Sequence, residues 1–219
     1  MTASPQAVLF DLDGTLVDSA PDLIGALQAL CVELGEAPPD ADAVRIVVSA
    51  GGRAMLRRGL PGFDEAAIEH HLPRFLALYA GRIAQETQPY AGVVELLDWL
   101  EHDGIAWGIV TNKPGWLARP LVEQLGWANR CAALVSGDCL STKKPDPEPV
   151  LHACAQAGAD PARTWFVGDD LRDIQAGRAA GARTFAAAWG YLDGGDPAAW
   201  EADVVVATPP ELTRLLGRG

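Results

Sequence analysis

The sequence predicts an α/β protein with a Rossmann-like core, in which helices cover both faces of a parallel sheet and an all-helical segment is inserted after the first strand. From residue 107 onward, short apolar runs alternate with helical patterns, which is typical of parallel strands joined by helices. Residues 17–85 lack that alternation and show helical patterns only. We therefore expect residues 1–16 and 86–219 to form the core, and residues 17–85 to form the inserted helical segment.

The core strands are predicted from short apolar runs. The first run, residues 7–10, is apolar throughout, as expected of a strand buried on both faces. The later strand candidates are WGIVT (107–111), AALVS (132–136), TWFVG (164–168), RTFAAAW (183–189) and ADVVVA (202–207). The helices between them are predicted at residues 114–126, 147–158 and 173–181, with Gly126, Gly158 and Gly181 as their ends.

The inserted segment is predicted to contain at least two helical regions. The first carries one apolar stripe, formed by Leu23, Leu27, Leu30 and Leu34. Gly35 and the two prolines that follow at positions 38 and 39 are expected to end it. The second runs from residue 65 to residue 83, and we expect Pro73 to break it.

Composition narrows the class of protein. Hydrophobic residues make up 49% and charged residues 21% of the 219 residues, as in ordered globular proteins. No apolar stretch approaches the roughly 18 residues of a membrane span, and the first residues lack a secretory pattern, so we expect a cytoplasmic protein. The cysteines form no C-x-x-C pair and are predicted to be reduced, packed thiols: Cys31, Cys131, Cys139 and Cys154.

The net charge of -12 argues against nucleic acid as a partner, because that affinity depends on neutralising phosphates with Lys and Arg. It does not argue against a small phosphorylated substrate. Lys144, a divalent ion and backbone N–H groups at helix starts can supply local positive charge. We expect such a substrate, no nucleic-acid or membrane partner, and a monomer or a weak homodimer.

The string LFDLDGTLVD, residues 9–18, places two carboxylates at the end of the first strand. Alternation along a strand sends Asp11 and Asp13 to the same side. Two like charges so close are unfavourable unless they share a cation or a proton, as they do in a metal-dependent acid/base or nucleophilic site. For a bare D-x-D pair, the alternative is a strand followed by a polar turn.

The full D-x-D-G-T-L-x-D string resembles the first signature of the haloacid dehalogenase superfamily, and the chain is similar to its phosphatase branch. Matches to the three later motifs of that family follow in order: Thr111 after its apolar run, Lys144 in KKPDPEP, and Asp169 with Asp173 in GDDLRD. The resemblance covers essentially the whole chain. It implies that residues 17–85 are a helical cap, with hinges near Val17 and in residues 85–89.

The resemblance also implies roles for these residues in phosphate-ester hydrolysis. Asp11 would attack phosphorus, and Asp13 would protonate the leaving oxygen and then deprotonate the attacking water. Mg²⁺ would be held by Asp11, the backbone carbonyl of Asp13, and Asp169. Asp173 would lie in the outer shell of the metal, whereas Asp170 is either an outer-shell group or a charge at a helix N-terminus.

The phosphoryl group would be bound by the Thr111 hydroxyl, the Asn112 backbone N–H and the Lys144 ammonium. Taken alone, Thr111 is more typical of a cap for the following helix, and Lys144 of a solvated surface charge. The histidines have no metal-ligand spacing, and no role is predicted for His70, His71, His102 or His152.

In the cap, VSAGGRAM places Arg53 beside glycines, between two helical regions. We expect the loop residues Ser49, Gly51, Gly52 and Arg53 to contact substrate, with Arg53 binding a carboxylate in bidentate fashion. The alternative is a helix start with a solvated arginine.

Two phosphatase branches share strings with this chain. GIVTNKP, KKPDPEP and FVGDDLRDI are similar to phosphoglycolate phosphatases, whereas SAGGRAM, GDDLRDIQAGR and AAWEADVVV are more similar to phosphatases of N-acetylmuramic acid 6-phosphate in cell-wall recycling. The second substrate is favoured here. The further alternatives are a β-phosphoglucomutase-like mutase and an inactive phosphate-binding module. A dehalogenase would not need Asp13, because a halide leaves unprotonated.

Overall fold

The computed structural model describes residues 4–217, and eight strands lie within this range. They are β1 (Ala7–Phe10), β2 (Val17–Asp18), β3 (Gln88–Pro89), β4 (Ala106–Val110), β5 (Ala133–Val135), β6 (Thr164–Gly168), β7 (Arg183–Ala187) and β8 (Val204–Val206). Six of them form one parallel sheet in the order β5-β4-β1-β6-β7-β8. All the core strands predicted from apolar runs are present, and the α/β fold class is confirmed.

Nine α-helices accompany the strands in residues 4–217. They are α1 (Ala20–Leu34), α2 (Ala41–Arg45), α3 (Gly52–Gly59), α4 (Glu65–Ala80), α5 (Val93–His102), α6 (Gly115–Gln124), α7 (Glu148–Gln156), α8 (Leu171–Ala179) and α9 (Pro209–Leu216). Three single 3₁₀ turns cover Pro161–Arg163, Leu192–Gly194 and Pro197–Ala199. The glycines predicted to end α6, α7 and α8 have positive φ angles, as helix-ending residues commonly do: Gly126, Gly158 and Gly181.

Strand β1 is central because its residues are apolar on both faces. Val8 and Phe10 pack into the larger hydrophobic cluster with residues of α5 and α6, whereas Leu9 packs into a second cluster with residues of α7 and α8. All four residues of β1 are buried. Burial on both faces explains why β1 carries no polar side chain until it ends, at Asp11.

The segment predicted to be a cap contains α1 to α4, and α1 packs against α4. Leu23, Leu27 and Leu30 of the predicted stripe are buried, and Leu34 at the end of α1 is half-buried. The predicted break at Pro73 is wrong, because α4 is continuous from Glu65 to Ala80. Pro73 is on the exposed face, where water can bind the backbone carbonyl that the missing N–H leaves free.

The two connections between cap and core form a small antiparallel ribbon. Val17 in β2 pairs with Pro89 in β3, and Asp18 pairs with Gln88. The expectation of helices alone in residues 17–85 is therefore wrong at its first two positions. Each of these short strands gains hydrogen bonds that a free linker would lack, so the ribbon aligns the predicted hinges with each other.

Cap and core are also joined through Asp18. Its carboxylate accepts hydrogen bonds from Arg45 of α2 at 2.6 Å and from the Tyr191 hydroxyl of the core at 2.8 Å. Tyr191 in turn accepts from the backbone N–H of Ala20 at 2.9 Å. These contacts hold the start of α1 against the core.

The thiols of Cys31 and Cys154 are buried, and no disulfide links cysteines in the part of the chain that the structure describes. Cys139 is exposed, so the prediction of a packed thiol is wrong at this position. Within residues 4–217, no helix combines the length and the apolar character that crossing a membrane requires.

The first prediction concerns the buried carboxylate of Asp22, which joins α1 to the second connection. It accepts hydrogen bonds from the Thr87 N–H at 2.9 Å, the Thr87 hydroxyl at 2.7 Å and the Glu86 N–H at 3.1 Å. Asp22→Ala leaves these donors unpaired, so we expect the free energy of unfolding to fall by about 3 kcal/mol in urea titrations. Glu86→Ala is the control, since its exposed ion pair with Arg82 contributes at most about 1 kcal/mol. Similar losses in both variants would contradict this interpretation.

Candidate active site

The site lies where the central strands of the parallel sheet end. Asp11 follows β1, Thr111 follows β4 and Asp169 follows β6, and these strands are neighbours in the sheet. The Asp11 N–H donates to the Val167 carbonyl at 2.9 Å, so the chain keeps sheet geometry up to the first carboxylate. The carboxyl ends of adjacent parallel strands thus bring together residues that are far apart in the sequence.

The chain must turn sharply after Asp13 to leave room for Asp169. Gly14 has φ of 93°, and a Cβ atom on it would lie 2.2 Å from Oδ2 of Asp169. Any side chain at this position would both strain the backbone and displace that carboxylate. This explains why glycine follows the second aspartate of the first motif.

Three buried carboxylates form a cluster that can hold a divalent cation. Asp11, Asp169 and Asp173 each offer an oxygen atom, and these atoms lie within 4.8 Å of one another. Burial and the Asp11 charge raise the pKa of Asp169 to about 7, and burial raises the pKa of Asp173 above its usual range. Hard carboxylate oxygens with too little positive charge around them suit a hard divalent ion.

Lys144 supplies the positive charge on one side of this cluster. Its ammonium donates to Asp11 at 2.7 Å, to the Val110 carbonyl at 2.8 Å and forms an ion pair with Asp173 at 2.7 Å. Burial opposes the charge, but the Asp11 and Asp173 carboxylates raise the pKa of Lys144 above its ordinary value. Only 3% of the Lys144 side chain is exposed, so the alternative of a solvated surface lysine is wrong.

Asn112 holds the loop that carries Lys144. Its side-chain amide donates to the Lys144 carbonyl at 2.9 Å and accepts from the Lys144 N–H at 3.0 Å. Thr111 is buried beside it, and its hydroxyl accepts from the Lys113 N–H at 3.1 Å. Thr111 does not cap the next helix, since Pro114 is at the N-cap position of α6.

Lys113 is a site residue that the sequence analysis missed. Its ammonium donates to both carboxylate oxygens of Asp13, at 2.9 and 3.1 Å, and lies 4.4 Å from the centre of the Tyr79 ring of the cap. Burial opposes its charge, but the Asp13 carboxylate raises its pKa. The available signal was its position two residues after Thr111, at the end of the same strand.

The N-terminus of α8 shows how Asp170 and Asp173 differ. Asp170 is the N-cap residue and accepts from both the backbone N–H and the guanidinium of Arg172. Asp173 accepts from the Asp170 N–H at 3.1 Å and faces Lys144. Asp170 is thus a helix N-terminal charge paired with Arg172, another residue that the sequence analysis did not identify.

The structure places only part of the predicted cap loop in a loop: Ser49 and Gly51 precede α3, whereas Gly52 and Arg53 form its first turn. Ser49, Gly51, Gly52 and Arg53 line the same cavity of about 340 Å³ as Asp11, Asp13, Thr111, Asn112 and Lys144. The Arg53 guanidinium is at the rim, about half exposed, and binds the Glu69 carboxylate through two hydrogen bonds. To bind a substrate carboxylate, Arg53 must exchange Glu69 for it. None of the four histidines lines this cavity in the described part of the chain.

Comparisons with known proteins agree with this geometry. A family model described as haloacid dehalogenase-like hydrolase matches residues 8–187. The chain is 47% identical to N-acetylmuramic acid 6-phosphate phosphatase of Pseudomonas aeruginosa over 97% of this chain and 95% of that protein. It is also 47% identical to a phosphoglycolate phosphatase of Xanthomonas campestris pv. campestris, over 95% of each. The crystal structure of a predicted phosphoglycolate phosphatase from Haemophilus somnus 129pt superposes with a TM-score of 0.87 at 24% identity, covering 98% of this chain and 99% of that one.

The parallel sheet with an aspartate pair after its central strand, and the match over most of the chain, define the class. The chain belongs to the haloacid dehalogenase-like hydrolases. Within that family it is a phosphatase, a phosphoric monoester hydrolase. The resemblance stated from its motifs is confirmed.

The second prediction follows from the raised pKa of Asp169. Between its unfolded value, near 3.8, and about 7, the folded protein binds a proton that the unfolded chain has lost, so stability falls as the pH rises through this range. In metal-free buffer we expect Asp169→Asn to be more stable than the wild type at pH 8, by on the order of 1–3 kcal/mol. The advantage should shrink as the pH falls from 7 towards 4. Urea titrations in EDTA at several pH values measure it, and an advantage that is independent of pH would contradict the assignment.

Proposed function

We propose that the protein is a Mg²⁺-dependent phosphomonoesterase that works through an aspartyl-phosphate on Asp11. The observation that carries this proposal is the position of the Asp11 carboxylate, which lines the cavity, accepts from the Lys144 ammonium at 2.7 Å and lies beside the other carboxylates of the acidic cluster. A carboxylate that lines a cavity beside an ammonium group can act as a nucleophile for phosphorus.

In the first step an oxygen of Asp11 forms a bond to phosphorus while the bond to the ester oxygen breaks. Asp13 gives its proton to that leaving oxygen. Thr111, the Asn112 N–H and Lys144 bind the phosphoryl oxygens. Mg²⁺ would be held by Asp11, the Asp13 carbonyl and Asp169, and would supply positive charge to the phosphoryl group.

In the second step water attacks phosphorus, returns a proton to Asp13 and releases Asp11. Both Asp13 oxygens accept from Lys113 in the substrate-free structure. To act as an acid, Asp13 must therefore carry its proton on one oxygen and turn that oxygen from Lys113 towards the leaving group. An anionic substrate offers Lys113 a second partner for its charge.

We infer that the substrate is a small phosphate ester carrying a carboxylate, and that N-acetylmuramic acid 6-phosphate fits best. The cavity contains cationic groups beyond those assigned to the phosphate, among them Arg53, Lys113 and Arg172. Its cap side is apolar, with Leu72, Phe75 and Leu76, which suits the carbon face of a sugar. Such a substrate of cell-wall recycling places the enzyme in the cytoplasm. Phosphoglycolate is the alternative, because relatives bearing each name are equally similar.

A third prediction separates the acid from the nucleophile. Asp13→Asn should lose roughly 10²–10⁴-fold in kcat with an alkyl phosphate, whose leaving group needs a proton. It should lose much less with p-nitrophenyl phosphate, whose leaving group is stable as an anion. Asp11→Asn is the control, since loss of the nucleophile should abolish turnover of both substrates. Equal losses by Asp13→Asn on the two esters would exclude the acid role.

A fourth prediction tests the substrate and Arg53 together. The wild-type enzyme should prefer N-acetylmuramic acid 6-phosphate to N-acetylglucosamine 6-phosphate, which lacks the lactyl carboxylate. Arg53→Ala should cost about 1.5–3 kcal/mol in kcat/KM on the first substrate, the range for a charge-assisted hydrogen bond, and much less on the second. Arg57→Ala, which removes a neighbouring exposed ion pair with Glu65, is the matched control.

The same measurements distinguish the two candidate substrates. A higher kcat/KM for phosphoglycolate would overturn the choice of sugar and leave the phosphatase chemistry intact. Equal effects of Arg53→Ala on acidic and neutral esters would show that Arg53 does not bind the carboxylate.

A further inference from the structure

Ser49 brings a hydroxyl group from the cap into the acidic cluster of the core. It lies in the loop between α2 and α3, and its Oγ donates to Oδ2 of Asp169 at 2.9 Å. The same Oγ is 3.4 Å from the backbone carbonyl oxygen of Asp13. These two oxygens are among the atoms assigned above to Mg²⁺, so Ser49 contacts the proposed cation site and not only the substrate cavity.

The spacing of these oxygens matches a coordination shell. Mg²⁺ holds oxygen ligands at about 2.0–2.1 Å in an octahedron, which places adjacent ligand oxygens about 2.9 Å apart. Ser49 Oγ is at that distance from Asp169 Oδ2 and about half an ångström farther from the Asp13 carbonyl. A hydroxyl oxygen in this place can therefore occupy the position next to both ligands after a small shift of the loop.

The loop is held in place independently of this hydroxyl. Arg172 donates to the Ser49 carbonyl at 2.7 Å, and Asp170 holds the Arg172 guanidinium from the other side. Asp169 is likewise held without Ser49, because Thr15 donates to its Oδ1 at 2.8 Å and the Tyr191 N–H to its Oδ2 at 3.0 Å. The Ser49 side chain is thus free to turn a lone pair towards a cation without undoing either support.

We propose that the Ser49 hydroxyl is an oxygen ligand of the bound cation, supplied by the cap. This inference rests on the cation site of the proposed function but not on the identity of the substrate. Its consequence is that cation binding and cap closure favour each other, because the cation then bridges cap and core.

The test is calorimetric titration of the substrate-free protein with Mg²⁺ and with Cd²⁺, for the wild type and for Ser49→Ala, Ser49→Thr and Ser49→Cys. We expect Ser49→Ala to weaken Mg²⁺ binding roughly 10-fold and Ser49→Thr, which keeps the hydroxyl, to bind within a few-fold of the wild type. Ser49→Cys should lose Mg²⁺ affinity and gain Cd²⁺ affinity, since a thiolate is a soft ligand. Ser4→Cys, an exposed position before β1, at the opposite end of that strand from the site, controls for an added thiol.

A second measurement, hydrogen exchange, tests whether the cation holds the cap loop. In the wild type, Mg²⁺ should slow hydrogen exchange of the amides in residues 46–52, and this protection should be reduced in Ser49→Ala. Circular dichroism in EDTA establishes that each variant is folded before titration.

The possible results distinguish failure of the proposed cation site from failure of the Ser49 inference alone. Failure of the wild type to bind Mg²⁺ would overturn the cation site and this inference with it. Mg²⁺ binding that is unchanged or tighter in Ser49→Ala, or a Cd²⁺ preference no greater in Ser49→Cys than in Ser4→Cys, would overturn the inference alone.

Discussion

The site is organised around an excess of negative charge, which is buried at the ends of β1 and β6. Five carboxylates meet there: Asp11, Asp13, Asp169, Asp170 and Asp173. Lys113 pairs with Asp13 and Arg172 with Asp170, whereas Lys144 serves both Asp11 and Asp173. Two negative charges remain without a balancing cationic side chain, and burial first and the Asp11 charge second raise the pKa of Asp169. A divalent cation would supply the missing positive charge.

The fold makes this arrangement possible because its buried strands fix the backbone that carries the charged residues. The strands that hold Asp11 and Asp169 are apolar and buried, so their ends cannot move apart without exposing the core. Gly14 lets the chain turn where any side chain would displace Asp169. The cap covers part of the cavity in which these charges lie, and electrostatic interactions are stronger where protein replaces water. The buried strands next to the site thus stabilise the fold, whereas the clustered charges of the site are electrostatically unfavourable.

The sequence predicted what local patterns determine. Alternating apolar runs located the core strands, and the motif residues do meet at one edge of the sheet. The continuous α4 was missed because the effect of Pro73 depends on which face of the helix it occupies, and tertiary packing decides that. Lys113 and Arg172 were missed because a charge beside a motif looks the same whether it is solvated or paired. Only the fold brings Asp13 within 2.9 Å of Lys113.

Cap residues contribute to the charge balance of the site as well as to its specificity. Its loop reaches the core through Ser49, at Asp169 and at Arg172, so closing the cap places polar atoms on the residues that govern the cation. Arg53 remains at the rim, paired with Glu69, and a substrate carboxylate could replace Glu69 as its partner. A phosphate ester entering the cavity adds negative charge to a site that already has too much. A bound cation would offset part of that charge. An acidic substrate would also gain from the cationic side chains that line the cavity: Arg53 of the cap and Lys113, Lys144 and Arg172 of the core.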